Sequence, residues 1–126
     1  SGKTGSALMA AYSGAKGAII AITHSMAFEL AKHGIKVNCL CPGIVEATGV
    51  WGSVSKGYVE KLKMDEQAVV KQFTAKVPLA RLARIDDIVS FVEFLTVHGD
   101  YCTGQAFNVT GGREMHLKEI DASKKK

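Results

Sequence analysis

Three cysteines, two prolines and one tryptophan are all that the 126 residues hold of those types, and each scarcity removes a class of explanation. Cys39, Cys41 and Cys102 are odd in number and fit neither a disulfide framework nor a zinc ribbon. That usage suits a reducing compartment and makes all three structural residues. Cys39 and Cys41 form a soft-metal pair on paper, but alternate residues of a buried strand account for the spacing, since free cysteine is a common core residue. His24, His33, His98 and His116 pair with no carboxylate at ligand spacing, so no metal is expected. No apolar stretch is long and uncharged enough to span a bilayer, and the first residues lack the basic-then-apolar order of a secretory signal. A cytoplasmic protein with no membrane partner is the expectation. No Gly-x-Ser-x-Gly elbow occurs.

Charge is also sparse in information. The formal net charge is +4, and residues 117–126 carry four lysines against Glu119 and Asp121, which is half of that excess. The remainder is nearly balanced. With no aromatic-rich basic strand or zinc-finger spacing, a terminal lysine run reads as a solvated end, and no nucleic-acid partner is expected.

What is present is a chain 47% hydrophobic and 22% charged, one domain's worth, able to bury a modest core. Residues 9–32 are apolar and small in helix-friendly order, and Gly34 is placed to end the element in a left-handed cap. Gly14, Ala18, Ala21 and Ser25 leave one stripe of that helix nearly without bulk, where another helix backbone could approach. Residues 35–41 alternate and then turn wholly apolar before Pro42-Gly43, which predicts a buried strand. A helix, a short turn and such a strand make an αβ unit of a parallel sheet, whose ligands sit beyond the carboxyl ends of the strands.

Residues 44–63 mix Gly, Ser, Thr and Lys with isolated large apolars such as Trp51 and Tyr58, a composition suited to a partly helical lid over a pocket. A helix capped by Asp65 or Glu66 runs to about residue 76, Pro78 breaks it, and Asp86 or Asp87 starts another to about Val97. A last strand spans residues 105–109, and Gly111-Gly112 follows as a tight turn. Two strands cannot make a finished sheet of this kind, because each exposes an unpaired edge and an apolar face; the missing part is expected ahead of Ser1.

The chemistry concentrates in Tyr12 and Lys16. Four apart on a helix, a phenol and an ammonium share one face, so the cation favours phenolate and makes the hydroxyl a usable proton donor or acceptor near neutral pH. That is acid–base chemistry on an alcohol or a carbonyl.

In order along the chain stand AYSGAK, KVNCLCPGIV, VPLARLARIDDI and YCTGQAFNVTGG. Together these motifs resemble the C-terminal half of the short-chain dehydrogenases/reductases, over nearly everything from Ser1 to His116, with details similar to the polyol branch. The resemblance implies an α/β fold, the C-terminal half of a Rossmann-like doubly wound parallel sheet with its N-terminal half absent. Residues 1–116 would form that portion of one domain, and residues 117–126 a polar, disordered tail. The activity implied is hydride transfer between a nicotinamide cofactor, NAD or NADP with NAD favoured, and a secondary alcohol or ketone, here a sugar alcohol or its phosphate.

By position, the resemblance makes Tyr12 the acid–base residue. Lys16 lowers its pKa and holds the nicotinamide ribose hydroxyls. Pro42 and Gly43 shape the nicotinamide pocket, the Val45 backbone meets the carboxamide, and Thr48 contacts cofactor amide or phosphate. Thr48 stands one residue beyond the family's usual threonine, whose place holds Ala47. Trp51 helps to roof the substrate or tucks into the core. In VPLARLARIDDI the usual glycine and Pro-Glu positions carry Ala and Arg-Ile. The family's catalytic serine, thirteen residues before the tyrosine, falls ahead of Ser1, as do its glycine-rich dinucleotide loop, ribose-selecting residue and helix asparagine. The chain alone is therefore expected to be inactive, and family members are commonly homotetramers or homodimers. The alternative is a non-catalytic α/β oligomerisation module.

Overall fold

The computed structural model describes residues 1–114; the lysine-rich tail and His116 lie outside the described residues. Five helical segments and two strands follow one another: α1 (Ala10–Leu30), a 3-10 turn (Ala31–His33), β1 (Cys39–Pro42), α2 (Gly49–Leu62), α3 (Glu66–Thr74), α4 (Ile85–Val97) and β2 (Ala106–Val109). β1 and β2 are neighbours in one two-stranded sheet. Cys39 N donates to Gln105 O and Gly43 N to Val109 O, so the residue numbers rise together on both strands and the pair is parallel. The chain divides into two compact units, residues 1–41 with 90–108 and residues 42–89 with 109 onward.

In the first unit, α1 ends at Leu30 and passes into the 3-10 turn, which Gly34 closes at φ 69°, the left-handed conformation in which glycine carries no Cβ penalty. Thr23 and Ala27 are its buried residues, and Thr23 Oγ1 donates back to Ile19 O. The segment ahead of α1 crosses the helix at Gly2, where a Cβ would stand 2.7 Å from Lys16 C and 2.8 Å from Gly17 N. Only glycine permits that approach. Beside it, Lys3 Nζ donates to Asn108 Oδ1 at 2.6 Å and to Ala106 O, clasping β2. Phe91 of α4 meets Phe107 of β2 with ring centroids 5.2 Å apart at a tilt, a favoured aromatic geometry.

β1 is shorter than the sequence pattern predicts, beginning at Cys39 rather than at residue 35. Side chains account for the difference. Val37 N donates to Thr103 Oγ1, Asn38 Nδ2 to Cys102 O, and Gln105 N to Asn38 Oδ1. The Asn38 amide thus satisfies backbone groups that a regular ladder would otherwise pair, and the segment is held as irregular chain. Lys36 and Asp100 close the same region with an ion pair at 2.6 Å.

The second unit has its own core. Trp51, Val69 and Leu82 are buried, with Ile44, Val59, Met64, Val70 and Phe73 packed around them. α2 and α3 meet through Trp51 and Phe73, whose rings stand edge to face with centroids 5.5 Å apart. Asp65 caps α3 by accepting from Ala68 N at 2.7 Å, the expected role of a carboxylate at a helix start. Residues 79–84 lie along residues 44–46: Ala83 N donates to Ile44 O and Glu46 N to Ala83 O, both at 2.9 Å.

That loop is anchored by Arg81. Its guanidinium gives Asp87 two parallel hydrogen bonds, of 2.6 and 2.9 Å, while Arg84 N donates to the same carboxylate at 2.7 Å just ahead of α4. Ala80 adopts φ 54°. A side chain there costs about 1–2 kcal/mol against the right-handed well, a strain that glycine lacks.

Two predictions follow from this unit. Ala80→Gly relieves the left-handed strain and, after the entropy glycine adds to the unfolded chain, raises unfolding stability by up to about 1 kcal/mol in denaturant melts. A loss of stability contradicts the assignment. Second, the Asp87 carboxyl is held well below the usual carboxylate range by the Arg81 hydrogen bonds first and the Arg84 N–H next. A depressed carboxylate contributes stability that is fully present above its unfolded value of about 3.9 and is lost as pH falls below it toward the folded value. The thermal midpoint of Asp87→Asn should therefore lie below that of the parent at pH 7, and the gap should narrow on acidification below about pH 4. A gap independent of pH argues against the pair.

Candidate active site

Tyr12 and Lys16 lie in the first half of α1, one turn apart. A helix advances about 100° per residue, so the pair shares a face as the spacing requires. Lys16 Nζ stands over the Tyr12 ring at 5.4 Å from its centroid, within reach of the negative ring face. Tyr12 is 50% exposed. Among the described residues its hydroxyl makes no hydrogen bond, and the ring is half exposed. The neighbouring Ser13 Oγ is buried and has no partner among the described residues.

The remaining residues expected at the site belong to the second unit and are described there. Pro42 ends β1. Gly43 follows it, and a Cβ on Gly43 would lie 3.2 Å from Thr110 Cα, tighter than ordinary contact, so this turn has room for glycine and little more. Val45 forms an isolated parallel bridge with Ala83, which fixes its backbone at the edge of the turn. Ala47 adopts φ 57°, and that left-handed residue swings the chain into α2.

Thr48 is the N-cap of α2: its Oγ1 accepts from Trp51 N and donates to Val45 O, both at 3.1 Å. The single hydroxyl proton is thereby committed to Val45, leaving an acceptor lone pair and the free amides of the first helical turn to face any ligand. Trp51 is 8% exposed and packed on Phe73.

Next to the turn, a cavity of about 190 Å³ is lined by Gly43, Ile44, Leu79, Arg81, Leu82 and Thr110 among others. It is mostly apolar with the Arg81–Asp87 pair on its wall. The sequence reading missed that pair. Its legible signal is a carboxylate three residues beyond Arg84, the spacing at which a side chain returns to an N-cap amide. The reading also missed Lys3, because its contact with Asn108 spans 105 positions. No group of three or more His, Cys, Asp or Glu occurs among the described residues, and no helix among them is long and apolar enough to cross a membrane.

Comparison with known proteins shows the family. Residues 1–114 match the family described as enoyl-(acyl carrier protein) reductase, one of the short-chain dehydrogenase/reductase profiles. Galactitol 2-dehydrogenase of Agrobacterium fabrum is 40% identical over 119 residues, which cover 90% of this chain and 44% of that protein. The structure of sorbitol-6-phosphate 2-dehydrogenase from Erwinia amylovora superimposes with a TM-score of 0.82 at 36% identity, over 90% of this chain and 45% of that one. That of actinorhodin polyketide ketoreductase with NADPH does so with a TM-score of 0.81 at 34% identity, over 91% of this chain and 44% of the other. The chain spans under half the length of the curated relatives it matches. With its parallel α/β elements, its Tyr12–Lys16 pair and these similarities, the chain belongs to the short-chain dehydrogenase/reductase family of oxidoreductases.

Proposed function

We propose that this chain is the C-terminal part of a nicotinamide-dependent oxidoreductase that interconverts a secondary alcohol of a sugar alcohol, free or phosphorylated, and the corresponding ketose. The observation that carries the proposal is the Lys16 ammonium over the half-exposed Tyr12 ring, in a chain of this family. Tyr12 Oη gives a proton to the carbonyl oxygen on reduction, or takes one from the alcohol on oxidation. A nicotinamide, when bound, would supply or accept the hydride. Lys16 sets its ammonium beside the phenol and would donate to ribose hydroxyls.

The residues present suit the nicotinamide end of a dinucleotide. An ammonium and a phenol offer partners for ribose hydroxyls, Gly43 leaves no side chain beyond the strand end, and the Thr48-capped start of α2 offers free amides to a carboxamide or phosphate. Within the second unit, taken by itself, Pro42 and the backbone of Val45 would flank Gly43 in holding the cofactor. Trp51, buried against Phe73, would hold α2 in place as part of the roof. Nothing in the chain offers the glycine-rich loop for the adenosine end, which agrees with a span under half that of the relatives. NAD is favoured, with NADP the alternative that one neighbour's bound NADPH keeps in view.

Exposed side chains support the same reading. α1 leaves Ile19, Ile22, Met26 and Phe28 exposed, and α4 leaves Val89, Val92, Phe94 and Val97. Helices apolar on so many sides belong in an interior, which is where the other half of the doubly wound sheet and neighbouring subunits of a homotetramer or homodimer would put them. Such an enzyme would work in the cytoplasm. The same exposed faces favour the second reading, a non-catalytic oligomerisation module.

Tyr12→Phe in the complete protein separates the two. The ring and its contact with Lys16 remain while the transferable proton is lost, so turnover should fall by about 10²- to 10⁴-fold. It would be measured as reduced-nicotinamide absorbance with NAD and NADP across hexitols, hexitol phosphates and diols. Near-parental turnover in Tyr12→Phe rejects the role, and a complete protein inactive on every member of the panel with both cofactors favours the module.

A further inference from the structure

Asp87 draws together the loop ahead of α4. Arg81 gives its carboxylate two hydrogen bonds, from Nη1 at 2.6 Å and from Nη2 at 2.9 Å, and Arg84 N gives another at 2.7 Å. Arg81 Nη1 also donates to Leu82 O at 3.0 Å. The side chains of the pair are 45% and 32% exposed, so solvent screens their attraction and the gain in overall stability is modest. A planar guanidinium on a carboxylate nevertheless fixes direction as well as distance. What it fixes is the path of residues 81–84.

That path holds the turn after β1 in the same unit. Ala83 N donates to Ile44 O and Glu46 N to Ala83 O, both at 2.9 Å, around the parallel bridge between Val45 and Ala83. In such a bridge one residue makes both bonds and the residue opposite makes neither, so the Val45 N–H and C=O point away from Ala83. Thr48 Oγ1 donates to the Val45 carbonyl at 3.1 Å. The Val45 N–H makes no hydrogen bond among the described residues, and it lies past the carboxyl end of β1, where a parallel sheet takes its ligands. A backbone donor pinned on both flanks suits a carbonyl or carboxamide oxygen.

We infer that Arg81 and Asp87 are positioning residues for cofactor binding: by fixing residues 81–84 they keep the Val45 N–H turned outward, where the carboxamide of a nicotinamide would accept from it. The inference rests on the proposed nicotinamide-dependent reaction and adds to it the residues that set cofactor affinity. Neither side chain moves a proton in that reaction, and Tyr12 and Lys16 belong to the other unit. Loss of the pair therefore loosens the cofactor without slowing the step that follows at saturation. In kinetics, the cofactor KM rises while kcat holds.

The test titrates the complete protein and its variants with NADH and NADPH, read by nicotinamide fluorescence, and records steady-state kinetics at varied cofactor. Arg81→Met and Asp87→Asn should raise Kd and cofactor KM by about 3- to 30-fold, the range for residues that act through others. At saturating cofactor kcat should stay within about twofold of the parent. Arg81→Lys keeps the charge but not the fork, so its Kd should fall between parent and Arg81→Met. Asp65→Ala, which removes the α3 cap in the same unit, should lower the melting temperature and leave Kd unchanged. That control separates position from general loosening. Where Arg81→Met fails to fold, Arg81→Lys decides. Unchanged Kd in folded Arg81→Lys and Asp87→Asn, a fall in kcat with no rise in KM, or an equal rise of Kd in Asp65→Ala overturns the inference, while turnover by the parent leaves the proposed reaction standing. A parent that binds neither nucleotide and turns over no polyol overturns both.

Discussion

Pairing between β1 and β2 is the constraint on which the rest depends. Cys39 N reaches Gln105 O and Gly43 N reaches Val109 O, bonds that close a loop of 66 residues at an entropic cost of roughly 4 kcal/mol beyond a constant. Polar side chains gather where that cost must be met. Asn38 bonds on both sides of the join, Thr103 accepts from Val37, Lys36 pairs with Asp100, and Lys3 reaches in from the other end of the sequence. The pairing also sets where Pro42 and Gly43 end the strand, and Gly43 needs its missing side chain because Thr110 follows β2 so closely.

Departures from the family pattern become physical once the backbone is known. Ala80 has a positive φ, so the turn into Arg81 is left-handed even though an alanine fills it. Ala47 occupies the usual threonine place and is also left-handed. The turn thus puts Thr48 at the N-cap of α2, where its hydroxyl serves both the helix start and Val45. In the same unit, the Arg81–Asp87 pair shows a charged contact performing a positional task, binding the loop to the start of α4 through two parallel bonds.

Element types were legible wherever a local pattern carried them. The apolar run of α1 with Gly34 at its end, the Asp65 cap of α3 and the strand stopped by Pro42-Gly43 all rest on interactions within a few positions of one another. Boundaries set by distant partners were not legible. β1 starts late because Asn38 bonds with residues 102 and 105, and no window of sequence around Asn38 contains them. The same holds for α2, whose Gly, Ser and Lys content reads as a lid, although Trp51 buries itself against Phe73 of α3 and makes a continuous 14-residue helix part of a core.

By itself the sequence determined that Tyr12 and Lys16 share a face, since residues four apart on a strong helix do so however the rest of the chain folds, and its ordered motifs pointed to the family. Tertiary structure alone decided that Lys16 sits over the ring of Tyr12 and that the Thr48 hydroxyl is spent on a helix cap. Spacing fixes which residues share a face, whereas side-chain rotamers and hydrogen-bond partners are chosen by neighbours that arrive from tens of residues away.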